Sequence, residues 1–349
     1  MNKKKLILRI PPGAISGYKK IIDKTIPILD KNFELTIVPL GGDFCSGFPY
    51  KVGKIDKNNF YEDEIIINSL ILDRYSSLGS ILPDKKNLKL FTMWESSLLP
   101  RFPIEELNYF INETVVPSNW NFDVFKNSGV KKVQLLPLFV DNLTFNHREK
   151  KDLSKFTFSA GGCSSISSGN GRRKNFQIIL SAFKKCFKGV KDVEIIFKLS
   201  PQERDGLGKT LDERIKFNYG SLTDLEIADF LGQSDVFVSG SKAEGWGFFQ
   251  IESLAVGKPV ITVDYGGVKD FCNKDNCFFV DFEENLADGA WGKNGGLWAE
   301  MKEESLVEQM RFCYENKDLI RGNSKNYSNS VIEKFSLDNY ENNLLKILK

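Results

Sequence analysis

The order of segments narrows the fold most: short apolar runs alternate with stretches of helical spacing, and the alternation passes through the chain twice. In the first pass, Lys5 to Ile10 predicts a buried strand and Pro11 to Gly17 a loop. Tyr18 to Leu29 predicts a helix, with Ile21, Ile22, Ile26 and Leu29 spaced for one face. Phe33 to Leu40, Glu64 to Leu72, Leu88 to Met93, Val115-Val116 and Val133 to Val140 predict further strands, and Asn121 to Asn127 a helix. The second pass opens with a strand at Phe156 to Ala160. Helices follow at Asn175 to Phe187, Leu222 to Leu231 and Gln250 to Val256, and strands at Val193 to Leu199, Ile215 to Tyr219, Asp235 to Ser239, Val260 to Val263 and Cys277 to Val280. Such alternation implies parallel sheets covered by helices. At roughly 150 residues per domain, 349 residues make two doubly wound α/β domains. The expected boundaries are 1–150 and 151–330, with a hinge in the polar stretch Asp141 to Lys155 and a terminal helix at 331–349 packing back on the first domain.

Composition excludes several classes. With 41% hydrophobic and 27% charged residues, the chain has the balance of a folded domain rather than a disordered one. Forty-eight basic against 46 acidic residues leave +2, which does not mark a polyanion binder. Six cysteines are too few for a disulfide scaffold, and a single histidine, His147, makes a zinc site with Cys272 and Cys277 improbable. Reduced thiols and the absence of a secretory pattern after Lys3-Lys4-Lys5 predict a cytoplasmic protein. No apolar run reaches the roughly 18 residues of a membrane span. Stable membrane insertion is not expected, and peripheral contact with a membrane stays open.

In open α/β sheets, ligands bind beyond the carboxyl ends of the strands. The most informative such loop is Ser239-Gly-Ser-Lys-Ala-Glu-Gly-Trp-Gly-Phe-Phe-Gln-Ile-Glu-Ser253. Gly245 and Gly247 let backbone amides approach a ligand, and the helix start beyond them favours phosphate. Glu244 lies in the loop and Glu252 in the helix, eight positions on. One carboxylate there can face the reacting end of a ligand while the other accepts hydrogen bonds from hydroxyls at its far end, such as a ribose diol. Read singly, each glutamate is an ordinary surface residue; the Gly-Trp-Gly turn between them makes the pair a candidate site.

Glu244, seven intervening residues and Glu252 resemble the Glu-x7-Glu signature of retaining GT-B glycosyltransferases of the GT4-like group. Ala255-Val-Gly-Lys-Pro-Val-Ile261, Tyr265-Gly-Gly267 and Gly171-Arg-Arg-Lys-Asn-Phe176 fit the same group. Phe91-Thr-Met-Trp-Glu95, Pro117-Ser-Asn119 and Leu136-Pro-Leu-Phe-Val-Asp141 resemble its first domain. The resemblance implies a GT-B fold of two Rossmann-like domains facing a central cleft. It implies transfer of a sugar from a nucleotide-diphosphate sugar to an acceptor hydroxyl with retention of configuration. It further implies that Glu244 contacts the donor sugar, that Glu252 binds the ribose, and that Trp246, Gly247, Phe248 and Phe249 cap diphosphate and sugar. Lys174 and Lys198 match the diphosphate-binding positions. An arginine usual after the first strand of the second domain is replaced by Gly161-Gly162, with Arg172 or Arg173 as substitute. The base is placed against the loop ending at Leu222.

The chemistry supports these assignments independently. Cleaving a sugar–phosphate bond develops positive charge on the sugar and negative charge on the diphosphate, so cations and amide dipoles are needed at the leaving group. No Asp-x-Asp occurs in the chain, so no metal or other cofactor is expected. In the first domain, Gly13 and Gly17 are candidates for approaching the donor, and Glu95 for acting on the acceptor hydroxyl. A glycan or lipid-linked saccharide is the expected acceptor, a hydroxymethylated DNA base the alternative. A sugar-nucleotide epimerase of the same fold, a catalytically dead binding module and an oxidoreductase are the competing classes. The last lacks its Gly-x-Gly-x-x-Gly after the first strand.

Overall fold

The structure is a computed structural model that describes residues 3–11, 17–40, 50, 52, 63–67, 87–162, 170–200 and 212–348. The chain divides into two compact units: Met1–Leu138 with Tyr340–Lys349, and Phe139–Asn339.

The first unit contains β1 (Lys5–Ile10), α1 (Gly17–Asn32), β2 (Glu34–Pro39), β3 (Asp63–Ile67), β4 (Leu88–Phe91), α2 (Arg101–Phe110), β5 (Glu113–Val116), α3 (Asn119–Asn127) and β6 (Val133–Leu135). Its strands form one parallel sheet in the order β2-β1-β3-β4-β5-β6. Leu6, Ile7, Leu8 and Ile10 are all buried, so β1 is covered on both faces, as the middle of a helix-covered parallel sheet requires. Buried charges on these strands come in pairs: Arg9 with Glu64, and Lys89 with Glu113. α3 starts where Ser118 Oγ accepts the Asn121 N–H, the side-chain cap that an orphan helix amide needs.

The second unit contains β7 (Phe156–Gly161), α4 (Asn170–Lys174), α5 (Phe176–Cys186), β8 (Val193–Leu199), β9 (Ile215–Tyr219), α6 (Asp224–Gly232), β10 (Val236–Val238), α7 (Phe248–Ala255), β11 (Val260–Thr262) and β12 (Cys277–Phe279). These strands pair in parallel in the order β12-β11-β10-β7-β8-β9. A two-stranded antiparallel hairpin follows, β13 (Phe282–Leu286) and β14 (Leu297–Met301). The helices α8 (Glu303–Glu315), α9 (Lys317–Gly322), α10 (Ser324–Ile332) and α11 (Leu337–Leu348) complete the chain. Phe156, Phe158, Phe183 and Phe187 form a buried cluster under α5, with neighbouring ring centroids 5.1–5.6 Å apart. α6 opens on a reciprocal cap: Thr223 Oγ1 accepts the Glu226 N–H, and the Glu226 carboxylate accepts the Thr223 N–H.

Two doubly wound, Rossmann-like α/β domains are thus present, one on each six-stranded sheet. Some local expectations change. The strand expected at Val133 to Val140 stops at Leu135, and Val140 N–H instead bonds the Phe335 carbonyl. The strand expected at Glu64 to Leu72 is present over Asp63–Ile67, and its remainder lies outside the described residues. α2 and the β13–β14 hairpin are additional elements. His147 is half-buried and bonds Ser324 Oγ at 3.0 Å; burial and then the nearby Lys258 charge lower its pKa.

Tyr340 belongs to the first unit, and its hydroxyl meets Thr25 Oγ1 at 2.7 Å, both groups buried. Tyr340→Phe leaves the Thr25 hydroxyl without that partner, and the expected loss is about 1–2 kcal/mol in denaturant unfolding of the first unit.

Candidate active site

The carboxyl ends of β10, β7, β8 and β9 lie side by side along one edge of the second sheet. That adjacency brings the loops after them together: Ser239 onward, Gly161-Gly162, the end of β8 at Lys198, and Gly220 to Leu222. Gly161 is level with Lys198 in the β7–β8 register, and Gly162 N–H donates to the Lys198 carbonyl at 3.2 Å. Lys198 is buried, and among the described residues its ammonium has no ion-pair partner. Leu222 is half-buried just before the cap of α6.

Glu244 is the centre of this edge. It is 8% exposed, and two cations hold it. Arg173 Nη1 lies 3.2 Å from Glu244 Oε2, and the Lys174 ammonium donates to Glu244 Oε1. Burial alone raises the pKa of such a carboxyl; the charges of Lys174 and Arg173 outweigh it and hold Glu244 down to about 2.

The backbone explains why consecutive basic residues reach one carboxylate. Asn175 adopts a left-handed conformation (φ 46°), which breaks α4 from α5 and turns the segment towards the loop after β10. There Gly240 has no side chain to obstruct it: a Cβ would stand 2.6 Å from the Asn175 carbonyl oxygen and 3.0 Å from that of Lys174. Lys242 N–H donates to the Arg173 carbonyl at 2.9 Å, and Arg173 Nη1 donates to the Ala243 carbonyl at 2.6 Å. On the other side, Gly267 N–H donates to the Glu244 carbonyl at 2.8 Å, and Gly266 (φ 85°) lies against the Glu244 backbone. Two basic residues and the Tyr265-Gly-Gly267 turn therefore fix Glu244 by both its side chain and its main chain.

Beyond Glu244, Gly247 takes φ 104° and starts α7, a conformation that a side chain would strain. Trp246 is buried against Phe271 and Phe335, and among the described residues its indole N–H has no hydrogen-bond partner. Phe249 stacks on Phe237 (centroids 5.8 Å, planes 7° apart), while the Phe248 ring meets the edge of Phe139 at 6.1 Å. Glu252 is only 2% exposed on α7, so it is not a solvated helix residue. Arg172, next to Arg173, is exposed and lies 3.6 Å from Asp288.

The candidates of the first domain lie in the other unit. Gly17 is the first residue of α1, and Gly13 lies outside the described residues. Glu95 is half-buried after β4, close enough to Tyr18 for its charge to add to the burial that raises the Tyr18 pKa. Tyr18 Oη accepts the Met93 N–H at 3.2 Å, which ties the start of α1 to the end of β4. Among the described residues, no three His, Cys, Asp or Glu side chains are grouped to hold a metal ion. Gly240, Gly266 and Lys242 were absent from the predicted site. The glycine pairing was signalled by Tyr265-Gly-Gly267, whereas contact with Lys174 and Asn175 is a tertiary matter.

Three outcomes follow from this geometry. Arg173→Met leaves a buried carboxylate with one cation and the Ala243 carbonyl with the Ser241 hydroxyl but not the guanidinium, so thermal unfolding should show a loss of about 2–3 kcal/mol. Gly240→Ala forces a methyl onto backbone oxygens and should cost about 1–3 kcal/mol. Because the folded pKa of Glu244 is depressed, its contribution is complete above the ordinary carboxyl value of 4.5 and is lost as pH falls towards about 2. Wild-type stability should therefore fall more steeply over that interval than the stability of Glu244→Gln.

Residues 166–319 match the family model described as "Glycosyl transferases group 1". No curated protein matches the chain at a significant level. Among solved structures, the chain is similar to sucrose-phosphate synthase from Thermosynechococcus elongatus, with TM-score 0.73 and 12% identity over 99% of this chain and 98% of that one. It is similar also to Anabaena HepE in complex with UDP and glucose (0.67, 14%, 99% of each chain). A third likeness is to the apo form of the lipopolysaccharide outer core galactosyltransferase WaaB (0.65, 10%, 99% of each chain). At these identities the likenesses establish the GT-B fold. The segment that matches the group 1 glycosyltransferase model lies in the second of the two Rossmann-like domains of that fold.

Proposed function

We propose that the protein transfers a sugar, with retention of configuration and without a metal ion, from a nucleotide-diphosphate sugar to a hydroxyl of a glycan or lipid-linked saccharide. The observation that carries this reading is the buried carboxylate of Glu244 beside the Lys174 ammonium. A buried ion pair is weak evidence for stability, but it is the charge pattern that a separating sugar–diphosphate pair requires. The anionic side chain meets the sugar as it gains positive charge. The cation meets the phosphate oxygens as they gain negative charge.

Arg173 and Lys174 divide the work in this reading. Arg173 is enclosed and bonded to Ala243, so it anchors Glu244. The Lys174 side chain is more exposed and packs over Gly162, where a donor diphosphate would exchange it from Glu244 to the phosphates. Glu244 then accepts hydrogen bonds from sugar hydroxyls. Lys198 supplies a second cation, and the amides at the start of α7, with Trp246, Gly247, Phe248 and Phe249, cap the leaving group. Glu252 takes the ribose hydroxyls, and Leu222 lies beside the base. Glu95 acts on the acceptor hydroxyl, and Gly17 belongs to the donor side. The complex of HepE with UDP and glucose makes UDP-glucose the first donor to test, and the galactosyltransferase likeness supports a saccharide acceptor. Membership of the GT4 group and a cytoplasmic location belong to the same proposal.

A thermal-shift screen against UDP, GDP, ADP and CMP sugars should select one nucleotide class, since a ligand bound only to the folded state raises its melting temperature. With that donor, Glu244→Gln should lower kcat by about a hundredfold or more, and Glu252→Gln should act mainly on donor KM. Turnover should persist in EDTA. Wild-type rates in Glu244→Gln would end the reading, and loss in EDTA restored by a divalent cation would end its metal-free form.

A further inference from the structure

The β13–β14 hairpin touches each segment that surrounds Glu244. Ala299 N–H donates to the Lys242 carbonyl at 3.0 Å, and Tyr265 Oη donates to the Leu297 carbonyl at 3.1 Å. Asp288, at the turn of the hairpin, faces Arg172. Lys242 is the point where these connections meet. Its carbonyl takes the hairpin's hydrogen bond, its N–H reaches Arg173, and Glu244 follows two residues later.

The Lys242 side chain is gripped as well. Its ammonium pairs with Glu300 and lies 5.6 Å from the centroid of the buried Trp298 ring, within the range where a cation is attracted to an aromatic face. Trp298 and Glu300 are two apart on β14 and so share one face of the strand. Glu300 also stands directly opposite Glu283 in the hairpin register. Like charges so placed repel, and each has its own cation, Lys302 for Glu283 at 3.0 Å and Lys242 for Glu300. The hairpin therefore needs Lys242 for its own charge balance, and the loop needs the hairpin to hold Lys242.

We propose that Lys242 is a positioning residue for Glu244 and that the β13–β14 hairpin is the brace that holds it. The inference rests on the assignment of Glu244 to the donor sugar. Small displacements of a reacting group are costly: an error of about 1 Å can lower a rate a hundredfold.

The test compares Lys242→Met, which keeps the stem and removes the charge, with Lys242→Arg, which keeps both the ion pair and the aromatic contact. With the donor chosen by thermal shift, Lys242→Met should lower kcat about ten- to a hundredfold, with donor KM and melting temperature little changed. Lys242→Arg should recover most of the rate. Hydrogen–deuterium exchange of the unliganded protein should be faster in the Ser239 to Gly247 peptide of Lys242→Met than in wild type. Unchanged kcat with unchanged exchange overturns the brace. So does equal loss in both variants, or a loss that follows a lower melting temperature. Glu244→Gln in the same assay separates the two failures: full activity there sinks the donor-site reading, while the exchange experiment, which needs no substrate, still decides whether Lys242 fixes the loop.

Discussion

A carboxylate taken out of water must be compensated where it lies, and the local architecture of the second unit around Glu244 follows from that requirement. One cation would neutralise the charge, but two leave both carboxylate oxygens bonded, one to Arg173 and one to Lys174. To supply both from consecutive residues, the chain must bend between two helices. The left-handed Asn175 supplies that bend, and the bare backbone of Gly240 gives it room. A charge in one loop thus dictates a conformation in another that is 70 residues away in sequence.

The same compensation fits a site that must change partners. A carboxylate with a pKa held near 2 stays charged at any working pH. It remains an acceptor whether its donors are ammonium groups or sugar hydroxyls. Lys174, with part of its side chain open, can give up the bond; Arg173, enclosed and shared with the Ala243 carbonyl, cannot do so without loosening the loop. Adjacent basic residues that look equivalent in sequence therefore have different physical duties, set by burial.

Much of the fold was legible because parallel strands announce themselves. The apolar runs Leu6 to Leu8 and Ile195 to Phe197 put apolar side chains on both faces of their strands, and only a covered sheet tolerates that. The burial of Glu244 and Glu252 was foreshadowed by the glycines between them, Gly245 and Gly247. Elements held by tertiary contacts were less legible. The Val133 strand ends early because Val140 finds a partner at Phe335, almost 200 residues on. The β13–β14 hairpin lacks regular alternation, with Glu283, Glu284 and Asn285 in succession. Its β14 strand is held by the burial of Trp298, Ala299 and Met301 and by docking on Lys242, neither of which the charged β13 announces.

That last feature bears on how a loop on a common scaffold acquires one conformation. The six parallel strands of the second sheet place Lys198 and Glu244 at one edge, and any chain with this topology would do the same. Aim is a separate matter, because a loop of glycines and small residues has many conformations available to it. In this chain the freedom is removed from three directions: Arg173 from α4, the Gly266-Gly267 turn, and the hairpin through Lys242. The first two fix the charge and the main chain of Glu244. The third fixes the residue from which Glu244 departs, and it is supplied by a hairpin that pairs with neither parallel sheet.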